Sequence, residues 1–398
     1  MFKRVRPFLK LHCLNWAEFD FNMPKFENIK TFLYSWGVLT NTIIGIGIFA
    51  LPYAALKVGL PLALFYLAIL GLVVSTIHWM FGELALKTPD YKRLVGFAGI
   101  HLGKWAQIVA VGATIFGFFG SLLAYIIIGG QFLYEFCSPF AGGSEIFYAI
   151  AYFAAGALFV YLGIDFISRF EFWCMAIFFA ILAILGFGGA PLITMENLFA
   201  RTGTIHDIFF PYGPILFSFW ASSSIPEIEE MLGRRGNKKM LGKVIAASGI
   251  TAFLTYALFI LLVVGISGPN TAESALTGLR QMLGSNVASM LFFFGFITTF
   301  TSFVITGLSL KKIFAYDLKI NKTLSWAIVS IVPMWLFLSG LRDFMMIFSL
   351  IGGVFLAIDG ILIILMYQKI RPDRKALAWP LLLILAGGII YELSYYIK

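Results

Sequence analysis

The sequence predicts an all-α integral membrane protein of eleven transmembrane helices, two of them broken. Three observations carry that reading. The 398-residue chain is 60% hydrophobic and 12% charged, about half the charge fraction of soluble domains. Its apolar residues fall in runs long enough to cross a bilayer as helices, without the strand-like alternation of a barrel. Finally, the stretch TNTIIGIGIFALPYAA at residues 40–55 sits in the first such run, yet it is built to interrupt a helix.

Spans are expected at 35–57, 60–87, 104–136, 145–163, 171–190, 207–231, 243–266, 285–311, 323–340, 343–368 and 376–397. They divide the chain into an N-terminal arm (1–34), a first set of five helices (35–190), a second set of five (207–368) and an eleventh helix (376–397). The arm has basic residues but no apolar core or small-residue cleavage site, so a cleaved signal peptide is not expected. Phe2, Phe8, Leu9 and Trp16 suit it to lie on a membrane surface. Alternating the sides of the loops places 24 of the 29 Lys and Arg on one face. The other face keeps only Lys57, Arg201, Arg280, Arg342 and Lys398. The basic face is cytoplasmic, which puts the N-terminus inside and the C-terminus outside. The net charge of +9 is then a matter of membrane orientation, and no nucleic-acid partner is expected. The expected outer loops hold no Asn-X-Ser/Thr acceptor, which favours a bacterial or archaeal inner membrane. Cys13, Cys137 and Cys174 are too scattered for a disulfide framework or a metal site.

The first span breaks for local reasons. Gly45 and Gly47 each weaken a helix by about 1 kcal/mol relative to Ala, and Pro52 lacks an amide hydrogen. The sixth span breaks at PILFSFWASSSIPEIEE (214–230), where Ser218, Ser222, Ser223, Ser224 and Pro226 interrupt an apolar run. Pro52 and Pro226 are 174 residues apart, and the same shift carries the third span onto the eighth. Spans one to five and six to ten therefore read as two repeats, and an odd number of helices per repeat inverts the second. A broken helix at the membrane midplane presents amides to an anion and carbonyls to a cation. An amino acid carries both charges on one carbon.

Four motifs then carry a resemblance. They are NTIIGIGIFALPYA (41–54), AYIIIGGQ (124–131), IPEI (225–228) and TSFVITGL (301–308). Together they resemble amino acid permeases of the amino acid/polyamine/organocation superfamily, most of all the aromatic and hydroxy amino acid permeases and the amino acid/auxin permeases. The resemblance implies a LeuT-like five-plus-five inverted repeat with one extra C-terminal helix. It also implies amino acid uptake coupled to sodium or protons by alternating access, with no organic cofactor. One departure concerns the sixth span, where the family often carries a His and this chain has Trp220 followed by serines.

By this resemblance the amides of Gly45, Ile46 and Gly47 hold the substrate carboxylate. The carbonyls of Ile43 and Ile44, with those near Phe217 and Ser218, take the ammonium. Phe219, Trp220 and Ser222 are candidates to line the side-chain pocket, and Tyr125 to bind the carboxylate or close an outer gate. Thr301 and Ser302 match the hydroxyls that sodium-coupled relatives set opposite first-helix carbonyls, so a sodium ion is expected on Ile44, Thr301 and Ser302. The fifth span lacks the lysine that some proton-coupled relatives use, which leans the same way. Should protons drive transport, Asp359, Glu83 and Glu227 are the candidate carriers, since acidic residues within spans are costly and usually functional or paired. For Glu83 a loop-bracing role, and for His78 a packing role, are the plainer alternatives.

The expected partners are a neutral, possibly bulky amino acid and membrane lipid, with the protein a monomer or a weak homo-oligomer. The rival readings are a carrier of another small amine or nucleobase, and a non-transporting amino acid sensor of the same fold. A polyamine site would want acidic groups at the breaks, where none stands. An enzyme would want clustered His, Asp or Glu, and the four histidines are dispersed.

Overall fold

The computed structural model describes residues 24–88, 93–163, 167–234 and 238–396. The surface-lying residues expected in the arm, Phe2, Phe8, Leu9 and Trp16, fall outside them. Helix α1 (Pro24–Ile43) begins within the expected arm. It is followed by a 3-10 turn, Ile46–Phe49, and by α2 (Leu51–Val58). Gly59 turns the chain with φ 86° into α3 (Leu60–Lys87), a backbone conformation that glycine adopts without steric cost. A short helix, α4 (Leu94–Leu102), precedes α5 (Lys104–Ala141). Next come α6 (Glu145–Leu162), capped by the Ser144 hydroxyl, then α7 (Ile167–Gly189) and the single turn α8 (Met195–Leu198).

The second half repeats the scheme. Helix α9 (Tyr212–Phe219) breaks and resumes as α10 (Ile225–Arg234), followed by α11 (Leu241–Ser267). A short α12 (Leu276–Leu283) leads to α13 (Ser285–Lys312) and then α14 (Lys322–Leu338). The tenth stretch was expected as one α-helix. It is instead α15 (Phe344–Leu350) and α16 (Ala357–Ile370), joined through a π-helical segment, Ile351–Leu356. Helix α17 (Lys375–Tyr396) closes the chain.

Helices occupy all eleven expected stretches. Among the described residues seven are long and apolar enough to cross a membrane, and the α1–α2 pair, bent by 46°, makes an eighth when taken as one span. The sixth stretch is divided by its break, and the fifth and ninth carry shorter apolar helices, Ile177–Leu192 and Lys322–Leu338.

The most extensive helix–helix contact joins α5 and α13, the third stretch of each repeat. A small residue allows it: a Cβ at Gly295 of α13 would stand 2.5 Å from the Phe132 ring of α5, and α6 joins them through Gly130 against Ala149 and Gly156 against Phe303. In lipid, close packing of this kind is a main source of helix association. Phe65, Leu72, Ile108, Leu254 and Leu383 are well exposed on the outer surface, as expected for a bundle whose solvent is hydrocarbon.

Candidate substrate and ion site

The two breaks lie back to back. In the first, α1 ends at Ile43, whose carbonyl accepts the Gly45 amide at 2.8 Å. Gly45 is therefore occupied, contrary to its expected part in carboxylate binding. The amides of Ile46 and Gly47 have no backbone acceptor among the described residues, and the Ile44 carbonyl has no backbone donor. Pro52 does not kink a helix interior. It stands in the first turn of α2, where a missing N–H costs nothing, and Pro226 takes the same second position in α10. The 174-residue offset thus equates the two restarts of helix.

In the second break Trp220 is extended (φ −76°, ψ 121°) and Ala221 follows it out of the helix. The Ala221 amide donates to His78 Nε2 at 3.1 Å. An accepting Nε2 places the ring proton of a neutral imidazole on Nδ1. His78 is buried and packs edge-on against Trp220, so it serves as a cap for a backbone donor that the break has orphaned. Its expected packing role is refined to a specific hydrogen bond. The Tyr256 hydroxyl of α11 lies 2.6 Å from the Ile43 carbonyl and 2.7 Å from the Ser218 carbonyl. One phenolic proton thus stands between both breaks. Gly47 makes the approach possible, because a Cβ there would sit 2.7 Å from Ser218 Cα. A further link runs from Ser224 Oγ to Thr42 Oγ1 at 3.2 Å.

A cavity opens on the other side of the first break. Asn41, Ile44, Gly45 and Thr298 line it with Phe178 and Phe294, and the room for a water's centre is about 20 Å³, enough for about one water. The Thr298 hydroxyl is buried there without a hydrogen-bond partner. Thr301, expected as the ion ligand, lies one turn on and donates to the Thr298 carbonyl at 3.0 Å. Ser302 and Thr306 face the Tyr125 hydroxyl. Tyr125 is therefore placed against α13 and does not line this cavity. Asn41 and Thr298 escaped the sequence reading because single polar residues in an apolar span give no direction.

The other expected residues are dispersed. Phe219 is fully buried, edge-on to the Tyr256 ring at 5.2 Å and against Gly71 of α3. Trp220 packs on His78 and toward Gly360, and the Phe217 ring lies on Phe348, 3.9 Å between centroids. Ser222 is buried in the break. None of these four lines the cavity. Glu83 accepts from Tyr367 at 2.9 Å and pairs with Arg371 at 3.0 Å and Lys87 at 3.3 Å. That carboxylate braces α3 against the end of α16. Glu227 is an exposed carboxylate paired with Arg93 at 2.8 Å. Asp359 is buried with Oδ1 unpartnered, away from the residues that line the cavity.

A helical bundle with two discontinuous helices, set back to back and related by a repeat, defines a carrier of the LeuT fold. Two solved structures agree. One is MhsT in complex with L-phenylalanine, with a TM-score of 0.60 at 15% identity over 92% of this chain and 97% of that one. The other is Mhp1 in an inward-facing conformation, with a TM-score of 0.65 at 13% identity over 91% of this chain and 88% of that one. At such identities the likeness is one of fold. A comparison with curated proteins found no match. The chain belongs to the tryptophan/tyrosine permease family, whose sequence profile matches residues 28–391. It is a multi-pass membrane protein and an amino acid permease, not an enzyme.

Proposed function

We propose that the protein is a sodium-coupled symporter for neutral, aromatic amino acids. In this reading all eleven helical stretches cross a bacterial or archaeal inner membrane, with the N-terminus cytoplasmic. The protein works by alternating access, as a monomer or weak homo-oligomer surrounded by lipid. The observation that carries the reading is the pair of open amides at Ile46 and Gly47. Two adjacent N–H groups at the start of a helical turn suit a carboxylate. Since Tyr256 faces the Ile43 and Ser218 carbonyls, the Ile44 carbonyl is the acceptor left for a cation. It shares the cavity with the Thr298 hydroxyl, and such oxygens suit a hard ion. We place the sodium there, with Thr301 and Ser302 in support.

The testing experiment is uptake of labelled tryptophan, tyrosine and phenylalanine into proteoliposomes, under a sodium gradient alone or a pH gradient alone. Sodium-driven accumulation is the expected result. Accumulation driven only by pH would move the coupling to a carboxyl group. No uptake under either gradient, with insertion verified, would leave the fold standing and remove the symporter.

A further inference from the structure

Glu392, which the sequence analysis did not single out, is the least exposed acidic residue among the described residues, 1% exposed on α17. It reaches the first turn of α9, where its Oε1 accepts the Gly213 amide at 3.0 Å. That N–H is one of the donors a helix start leaves without an internal partner. The slot is made by glycines of two other elements. A Cβ at Gly213 would stand 2.5 Å from Oε1, and one at Gly353, in the π-helical segment, 2.8 Å from the carboxyl carbon. The second oxygen, Oε2, is buried and has no hydrogen-bond partner. Ser349 and Tyr396 face each other, and the Ser349 backbone borders the Gly213 side of the slot.

Among the described residues, the titratable groups that act on or are acted on by Glu392 are tyrosines: Tyr212 on α9, and Tyr391, Tyr395 and Tyr396 on its own helix. Asp207 and Asp343 reach those tyrosines and not the carboxyl itself. From α15, the π-helical segment and α16 it meets neutral groups, and no lysine or arginine among the described residues acts on it. An unpaired carboxylate in such a place is costly. A protonated carboxyl, by contrast, keeps an acceptor for Gly213 and brings no net charge into the slot.

We propose that Glu392 is a proton-binding site of the transport cycle, loaded while α9, the π-helical segment and α17 are closed around it. It releases the proton when α9 moves away and water enters the slot. The dependence on α9 rests on the alternating-access reading above. The binding of the proton in the closed state does not. This site is distinct from the sodium position in the cavity, so a sodium-coupled carrier would still respond to pH.

Infrared difference spectroscopy on the full chain in lipid tests this directly, because a protonated carboxylic acid has its own carbonyl stretch. The expected result is a band at neutral pH that disappears in Glu392→Gln, persists in Asp359→Asn and moves without disappearing in Glu392→Asp. The glutamine keeps the acceptor for Gly213, and Glu392→Asp covers the case in which it does not fold. A band indifferent to both changes at Glu392 overturns the proposal. In proteoliposomes that take up substrate, Glu392→Gln is expected to flatten the pH profile of uptake, and an unaltered profile removes the site from the cycle. Absent uptake in the wild type would count against the symporter and leave the proton site to the spectrum.

Discussion

The two helix breaks look alike in sequence and differ in how they are finished. At the second, side chains reach into the break: Ala221 N–H has His78 and the Ser218 carbonyl faces Tyr256, while Trp220 N–H has the Phe217 carbonyl and the Ser222 and Ser223 amides have no backbone acceptor among the described residues. At the first, the Ile46 and Gly47 amides and the Ile44 carbonyl have no backbone partner, and a cavity stands beside them. The first break borders a cavity, and the second is tied by side chains to α3 and α11.

The strongest way to break this comparison is at the contact between its two halves. Gly47→Leu is expected to abolish uptake while leaving insertion intact, because even a Cβ there meets the Ser218 backbone at 2.7 Å. Gly45→Ala, with open space around the new methyl, is expected to change KM and to spare folding. Equal damage from the two would mean that the breaks are not back to back. Next in size, Thr298→Val removes the cavity hydroxyl and should raise the sodium concentration for half-maximal uptake about tenfold, roughly 1.4 kcal/mol. An unchanged sodium titration in Thr298→Val, with a shifted one in Thr301→Val, would return the ion to its originally expected ligand. Third, His78→Leu strands the Ala221 amide, and stranding a buried donor costs about 1–3 kcal/mol. A lowered thermal midpoint with an unmoved pH profile of uptake is the expected signature, since His78 acts here as an acceptor. Smallest of all, Glu227→Gln removes an exposed ion pair worth about 0.2–1 kcal/mol, and uptake should change less than twofold.

Much of this architecture could be read before any coordinates. Hydropathy located the helical stretches because a membrane span must be apolar over its whole length. The breaks were visible because Gly45, Gly47, Pro52 and the serines before Pro226 are local signals, and the 174-residue offset survives as two prolines that open corresponding helices. What the sequence withheld is long-range. His78 meets its amide across 143 positions, Tyr256 reaches carbonyls 213 and 38 positions away, and Glu392 finds Gly213 across 179. Each is a single polar residue in an apolar run, and nothing local says which way it faces. Ionisable residues were hard to place for the same reason. Glu83 and Glu227 stood out by charge and proved to be braced or exposed, while Glu392 sits in a slot made by glycines that read as ordinary packing residues. The π-helical segment of the tenth stretch was equally hidden, since Gly352 and Gly353 disturb a helix no more conspicuously than many other glycines in this chain.

The Tyr256 hydroxyl has a mechanical consequence. It offers one proton to two carbonyls, one from each repeat, which share it or take it in turn, and the Ile43 carbonyl also holds the Gly45 amide. At this point the seam between the repeats is therefore held by a single shared donor. Opening it at this point forfeits about one hydrogen bond, roughly 1 kcal/mol, a sum that thermal motion supplies often. A joint made of two complete hydrogen bonds would be stiffer. This one is fastened lightly enough to part and is guided by the same side chain back to either partner when it closes.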